Sequence, residues 1–341
     1  MDFIFYLALL FFALIFGTLD SEIDFDFWAR LIVGKSYFQT GELFTNDFYS
    51  YGTTHEFIDH EWGSSLIFYL IQNNFGDIGL YIFKSIIVFL TLFLITKAIR
   101  LEDKNIKLHF LFFFFALHSI CYNIFSTIRC QTFSFFFFVL FFYILKYAKT
   151  KQNYRILWCL PVLNIIWANI HGGFVMGLAL IAIFVLGEFL NNKKSKFPIY
   201  LSFCFLASCL TTLINPYGIK YVYFIFEAFK LNRIHITEWQ SVFFDKHYIF
   251  SMIKFKIFFT ITLLFFLIQA TLVMPIWKYF GKFHKQALVM WVTHLFLLFR
   301  QLKRMLMVHW IFISTLHQMV LLLIASTTQQ QVYKVLSSTL N

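Results

Sequence analysis

The side chains able to do chemistry crowd into one stretch near the start of this 341-residue chain. It opens as Asp20-Ser21-Glu22-Ile23-Asp24-Phe25-Asp26-Phe27-Trp28. In an extended segment Asp24 and Asp26 point to one side, because the strand period is two. Crowded carboxylates raise one another's pKa or hold a cation, and one of them can then accept a proton. The bland alternative is a solvated acidic linker. The same stretch continues through Asn46-Asp47-Phe48-Tyr49-Ser50-Tyr51 and ends in Asp59-His60-Glu61-Trp62. A His60–Glu61 pair suits proton transfer or phosphate binding. It is not an H-E-x-x-H zinc helix, since Ser64 stands where the second histidine would be.

Three later joints carry the other polar groups. Arg129, in Ser126-Thr127-Ile128-Arg129-Cys130-Gln131, is a cation between apolar runs that must snorkel, pair or bind an anion. Trp167-Ala168-Asn169-Ile170-His171-Gly172-Gly173-Phe174 is the sharpest local signal: the glycines make a tight turn, while Asn169 and His171 are costly to leave unpaired beside lipid. Asn215-Pro216-Tyr217-Gly218, followed by Lys220, reads as a second turn.

The elements that must position these groups are apolar. Hydrophobic residues make up 60% of the chain, aromatic residues 22% and charged residues only 13%, against about 45–50% apolar and 25% charged in soluble domains. Mean hydropathy is +0.72, and phenylalanine alone accounts for 51 residues. That composition excludes a disordered chain, a secreted disulfide scaffold and a DNA-binding domain. The five cysteines (Cys121, Cys130, Cys159, Cys204 and Cys209) have no C-x-x-C spacing and read as small apolar residues. Phe112–Phe115 and Phe135–Phe138 read as lipid-facing filler.

The pattern predicts an all-α polytopic membrane protein with about ten transmembrane helices and a single integral membrane domain over 1–341. The first run, Phe3–Leu19, reads as an uncleaved anchor. Further runs fall near Gly79–Ile99, Leu108–Ile124, Thr132–Leu145, Ile156–Ile170, Phe174–Leu190, Phe197–Ile214, Phe255–Ile276, Ala287–Phe299 and Met305–Ala325. Ser64–Gln72 is too short to cross and reads as an interfacial or re-entrant piece. Residues 20–77 form an outer acidic loop with short interfacial helices, 215–254 a second outer loop, and 327–341 a polar tail.

The net charge of +11, from 28 basic and 17 acidic residues, is a topology signal. Fourteen basic residues fall in alternate joints: Lys97–Lys107, Lys146–Arg155, Lys193–Lys196 and Lys278–Lys285. They share the cytoplasmic side if the N-terminus is cytoplasmic. Opposite them, residues 20–77 hold ten carboxylates against Arg30 and Lys35, a net charge of −8. A nucleic-acid partner is not supported.

This order of motifs resembles a bacterial branch of the GT-C superfamily, multi-span glycosyltransferases that use polyprenyl-phosphate sugars. The branch's D-x-D-x-W-x-x-x-x-x-G corresponds to Asp24, Asp26, Trp28 and Gly34, and its G…D-x-F-S-Y to Gly41, Asp47, Phe48, Ser50 and Tyr51, with Tyr49 inserted. H-E-W is His60, Glu61 and Trp62; W-x-N-x-H-G-G-F-x-x-G is Trp167, Asn169, His171, Gly172, Gly173, Phe174 and Gly177; N-P-Y-G is Asn215–Gly218. The likeness covers roughly residues 1–220. Arg129-Cys130-Gln131 replaces the branch's R-P-Q, and beyond about residue 270 the pattern is not matched.

The resemblance implies inverting transfer of a sugar from a polyprenyl-phosphate donor to an acceptor hydroxyl of a glycan, lipid or protein, on the outer face of a bacterial inner membrane. It implies Asp24 or Asp26 as the base, Arg129, His171, His60 and Lys220 as phosphate ligands, and Asp47 and Glu61 around the sugar. Asn169, Asn215 and Tyr217 complete the substrate-binding set. A divalent cation is compatible with these residues and not required by them. Two other readings stay open: a transporter or lipid flippase with an acidic outer vestibule, and a catalytically inactive GT-C-like component with an altered C-terminal third.

Overall fold

The computed structural model describes residues 2–18, 25–46, 57–101, 127–191, 196–230 and 260. Among these the chain is helical, with no strand. In order come α1 (Asp2–Thr18), α2 (Phe25–Thr40), α3 (Trp62–Arg100), α4 (Gln131–Lys151), a 3-10 segment (Tyr154–Trp158), α5 (Cys159–Ile170), α6 (Phe174–Asn191), α7 (Phe197–Thr211) and α8 (Ile219–Lys230). The chain divides into two compact units. The first, residues 1–101, 124–185 and 196–230, contains every element discussed as part of the site. The second, residues 102–123, 186–195 and 231–341, contributes the last turns of α6 to the described residues.

Among the described residues two helices, α3 and α4, are long and apolar enough to cross a membrane. The α3 helix is interrupted at Gly76, whose φ of 59° and ψ of −156° only glycine adopts readily. The break separates the short apolar piece beginning at Ser64 from the segment after it, which at about 1.5 Å per residue extends roughly 36 Å. Gln72 donates to Asp77 across the break at 2.9 Å, and Asn74 donates back to the Leu70 carbonyl at 2.7 Å. Beyond it, Ile78, Ile82 and Ile86 form an exposed stripe at helical spacing, while Leu80, Ile87, Val88 and Leu92 are buried.

The phenylalanine run of α4 departs from expectation. Phe133, Phe135, Phe137, Phe138, Phe141 and Phe142 are all buried. Phe133 packs on Phe68 and Phe83 at ring separations of 5.6 and 5.3 Å. Phe137 stacks on Trp167 at 5.6 Å, and Phe141 meets the same indole edge-on at 5.1 Å. A helix that packs on α3 on one side and α5 on another has aromatic neighbours around most of its girth, so these rings are core rather than lipid-facing filler. Phe112–Phe115 lie outside the described residues.

The segment around Asp26 is also not extended. Asp26 occupies the first turn of α2 and is exposed there. Phe27, Arg30 and Gly34 recur at spacings of three and four on the inward face, with Val33 buried alongside and Phe27 5.3 Å from Phe68. A carboxylate in the first turn also faces the positive end of the helix dipole. Together these favour helix over strand. The segment after Gly218, expected as loop, likewise contains a helix, α8, anchored by buried Tyr221, whose hydroxyl donates to the Ala168 carbonyl at 2.7 Å.

Basic residues mark the ends of α3 and α4: Lys97 and Arg100 in the last turn of one, Lys149 and Lys151 in that of the other. Arg100 donates to the Tyr6 hydroxyl at 3.1 Å and lies over the Phe5 and Tyr6 rings. Apart from residue 260, the expected spans at 108–124, 255–276, 287–299 and 305–325, the loop residues 231–254 and the tail 327–341 lie outside the described residues. Gly76→Ala is expected to cost about 1–3 kcal/mol, the scale for a non-glycine residue forced into such a conformation. It should lower the apparent Tm in detergent, while Gly187→Ala, a site with no atom near its added Cβ, should not.

Candidate functional site

The starts of α3, α4 and α6, the end of α5 and the joint after α7 meet around a small set of buried charges. Arg30, projected from α2, anchors it. Its Nη1 lies 2.5 Å from Asp59 Oδ1, and its Nε lies 3.7 Å from Glu61 Oε2. Asp59 is 2% exposed. Its Oδ1 also accepts the Glu61 backbone N–H at 2.9 Å, and its own N–H donates to the Tyr217 hydroxyl at 3.3 Å. Three segments that are distant in sequence are therefore tied at one point.

Glu61 is reached from the other side by His171, whose Nε2 lies 3.2 Å from Glu61 Oε1. Directions along this chain follow from donor chemistry. The Trp167 Nε1–H can only donate, and it donates to Ser134 Oγ at 2.8 Å. Ser134 passes its own hydrogen to His171 Nδ1 at 2.7 Å, and the Gly173 N–H also points at Nδ1, at 2.9 Å. With Nδ1 accepting, the ring hydrogen sits on Nε2 and faces the Glu61 carboxylate. Both nitrogens of His171 are thus committed. Gly173 is required here by space, because an added Cβ would lie 2.7 Å from His171 Nδ1 and closer still to Ser134 Oγ.

Burial raises the Glu61 pKa, but His60, the His171 hydrogen bond and Arg30 outweigh it and hold the carboxyl well below its ordinary value. Burial opposes the Arg30 charge, and Asp59 and then Glu61 reverse this, so the guanidinium pKa is raised. His60 behaves differently. Desolvation lowers its pKa, against the pull of Glu61. Its Nε2 stands 3.7 Å from Glu61 Oε1, and the ring packs on Phe224 at 5.4 Å. The side chain remains 38% exposed. Tyr217 is pushed up, chiefly by burial.

The expected site residues divide clearly. His60, Glu61, His171 and Tyr217 come together. Asn169 adjoins them as a brace: Oδ1 accepts from Trp62 Nε1 at 3.1 Å, and Nδ2 donates to the Ile165 and Ile214 carbonyls, both at 2.8 Å. Asn215 closes its own turn, accepting from the Tyr217 N–H at 2.8 Å and donating to the Thr212 carbonyl at 2.7 Å. Arg129 directly precedes Cys130 at the entry to α4, and Lys220 is exposed on the first turn of α8. Asp26 lies one helical turn before Arg30, on a neighbouring position of the same helix. Asp24 and Asp47 lie outside the described residues.

Arg30, Asp59, Ser134 and Cys130 were not singled out by the sequence pattern. Arg30 carried a signal, as one of two cations in a strongly acidic stretch. Ser134 carried none, being a lone hydroxyl within a phenylalanine run. Cys130 is more than apolar filling: its sulfur lies 2.9 Å from Ser64 Oγ, which donates to the Glu61 carbonyl at 2.7 Å. Among the described residues no group of three His, Cys, Asp or Glu side chains could hold a metal ion.

No protein-family model, curated protein or solved structure matches the chain, so the chemistry is read from the cluster itself. Removing one member of a buried ion pair leaves an uncompensated charge. Arg30→Met is accordingly expected to destabilise by about 3–5 kcal/mol, measured as loss of monodisperse protein and of apparent Tm, with partial recovery in Arg30→Met/Asp59→Asn. The pH dependence follows from the two shifts. His60 is harder to protonate folded than unfolded, so stability declines as pH falls below about 6.5. Glu61 is easier to ionise folded, so its contribution is complete above about 4.3 and is lost as pH falls through its lowered value. His60→Gln should remove the first decline and Glu61→Gln the second in Tm-against-pH profiles.

Proposed function

We propose that this chain is a membrane glycosyltransferase of GT-C type, moving a sugar from a polyprenyl-phosphate donor to an acceptor hydroxyl. In this reading about ten helices span a bacterial inner membrane, the N-terminus is cytoplasmic, and the cluster faces outward. The observation that carries the reading is convergence. H-E-W (60–62), W-x-N-x-H-G-G (167–173) and N-P-Y-G (215–218) are far apart in sequence. They supply Glu61, His171 and Tyr217 to a single site, these three at a helix end or in a joint and Arg30 reaching in from within α2. The basic last turns of α3 and α4 lie at the opposite ends of those helices, as the inside bias of Lys and Arg would have it.

The reaction requires a base at the acceptor hydroxyl, compensation of the departing phosphate, and a route for the polyprenyl tail. Asp26, exposed at the start of α2 one turn from Arg30, or Asp24 just before it, serves as the base. Arg129 and Lys220 serve the phosphate, as a fork and a point charge respectively. Both nitrogens of His171 are already bonded, so its part is to hold Glu61 rather than to touch phosphate.

Reconstituted protein supplied with polyprenyl-phosphate sugars is expected to release polyprenyl phosphate. Asp24→Asn or Asp26→Asn should reduce that release by about 10²–10⁴-fold, the usual contribution of a general base. Unchanged turnover in both variants would remove these residues from the mechanism.

A further inference from the structure

The fixed charges of the cluster are the starting point. One guanidinium, Arg30, faces two carboxylates, Asp59 and Glu61, which leaves one net negative charge in a largely enclosed site. His171 adds none in the arrangement its hydrogen bonds impose, and desolvation lowers the pKa of His60. A phosphate brought here would meet like charge at short range. Asp59 Oδ2 and Arg30 Nε are both buried without a hydrogen-bond partner, and Glu61 Oε2 lies beyond hydrogen-bond distance of Arg30 Nε. Of the two carboxylates Glu61 is the less buried, so what the cluster offers from that side is an acceptor.

His60 is the member that a ligand can reach, with 38% of its side chain exposed and its Nε2 3.7 Å from Glu61. A neutral imidazole offers one donor and one acceptor. Beside it, the Tyr217 hydroxyl already accepts the Asp59 N–H, so its own hydrogen points elsewhere. Phe224, packed on His60, adds an aromatic surface. Acceptors, a neutral donor–acceptor ring, a phenol hydrogen and an aromatic face together suit a neutral polyhydroxyl group.

We propose that this cluster is a sugar subsite, with His60 and Tyr217 as ligand contacts and Glu61 as an acceptor for sugar hydroxyls, and that it excludes phosphate. The proposal rests on the glycosyltransferase reading for its choice of ligand. It reverses the assignment of His60 and His171 to phosphate. The groups facing His60 are Glu61, His171, Asp59 and Arg30, so an anion bound there would raise the pKa of His60, whereas a neutral sugar would not.

The test uses the full chain in nanodiscs with ¹⁵N-labelled histidine, the His60 signal being identified by its loss in His60→Gln. Methyl glycosides of glucose, galactose and N-acetylglucosamine are the sugar probes, and inorganic phosphate and pyrophosphate the anion probes. At least one glycoside is expected to shift the His60 ring nitrogens without raising their titration midpoint, and phosphate to leave both unchanged. Tyr217→Phe, which keeps the ring and its packing, should weaken the glycoside response roughly tenfold, the scale of one lost hydrogen bond. A His60 response to phosphate with a raised midpoint, or no response to any glycoside, overturns the subsite whether or not transfer is observed. A glycoside response in protein that releases no polyprenyl phosphate retires the transferase reading and keeps the sugar site.

Discussion

The guanidinium of Arg30 between Asp59 and Glu61 is the constraint from which the rest of the site follows. Charges taken out of water are tolerated only when paired and hydrogen-bonded. Here the pairing joins α2 to the segment that begins α3, and through Glu61 to the turn between α5 and α6. Each further bond acts on one of these anchors. Tyr217 accepts the Asp59 N–H and so brings in the joint after α7. Ser134 and Trp167 fix the ring that holds Glu61. The polar core is thus a knot at the helix ends, and the aromatic core around Trp167 holds those ends in register.

The direction of hydrogen bonding gives the knot its chemical character. Indole can only donate, so serine must pass its hydrogen on; the backbone N–H of Gly173 closes the same nitrogen, and the remaining ring hydrogen is delivered to the carboxylate. Glu61 is held as an anion and as an acceptor. His60, outside that chain of bonds and partly open, keeps its donor and acceptor for something else. Recognition of hydroxyl groups and stabilisation of phosphate are different tasks. The charge balance here suits the first, and the proposed reading gives the second to the cations at the entry to α4 and the start of α8.

Much of this was legible in the residues. His60-Glu61-Trp62, the His171-Gly172-Gly173 turn and Asn215–Gly218 stand out because polar residues are scarce in so apolar a chain, and they do meet. Local pattern could not show the partners. Arg30 looked like a minor cation in an acidic stretch, and Ser134 like an interruption in a phenylalanine run. Both take their meaning from contacts tens of residues away in sequence. The helix at Asp26 was hidden because Asp24-Phe25-Asp26-Phe27 alternates like a strand, while the face that settles the matter, Phe27 to Gly34, runs on past it. The phenylalanines of α4 looked lipid-facing on composition alone; whether a ring faces lipid or core depends on which helices pack beside it.

The most direct measurement is an experimental structure of the full chain in a lipid nanodisc with a non-hydrolysable polyprenyl-phosphate sugar. The account predicts sugar density against His60, Tyr217 and Glu61, with the phosphate displaced toward Arg129 and Lys220. Phosphate density on the Arg30–Glu61 cluster, or lipid-linked sugar bound away from it altogether, would contradict the account.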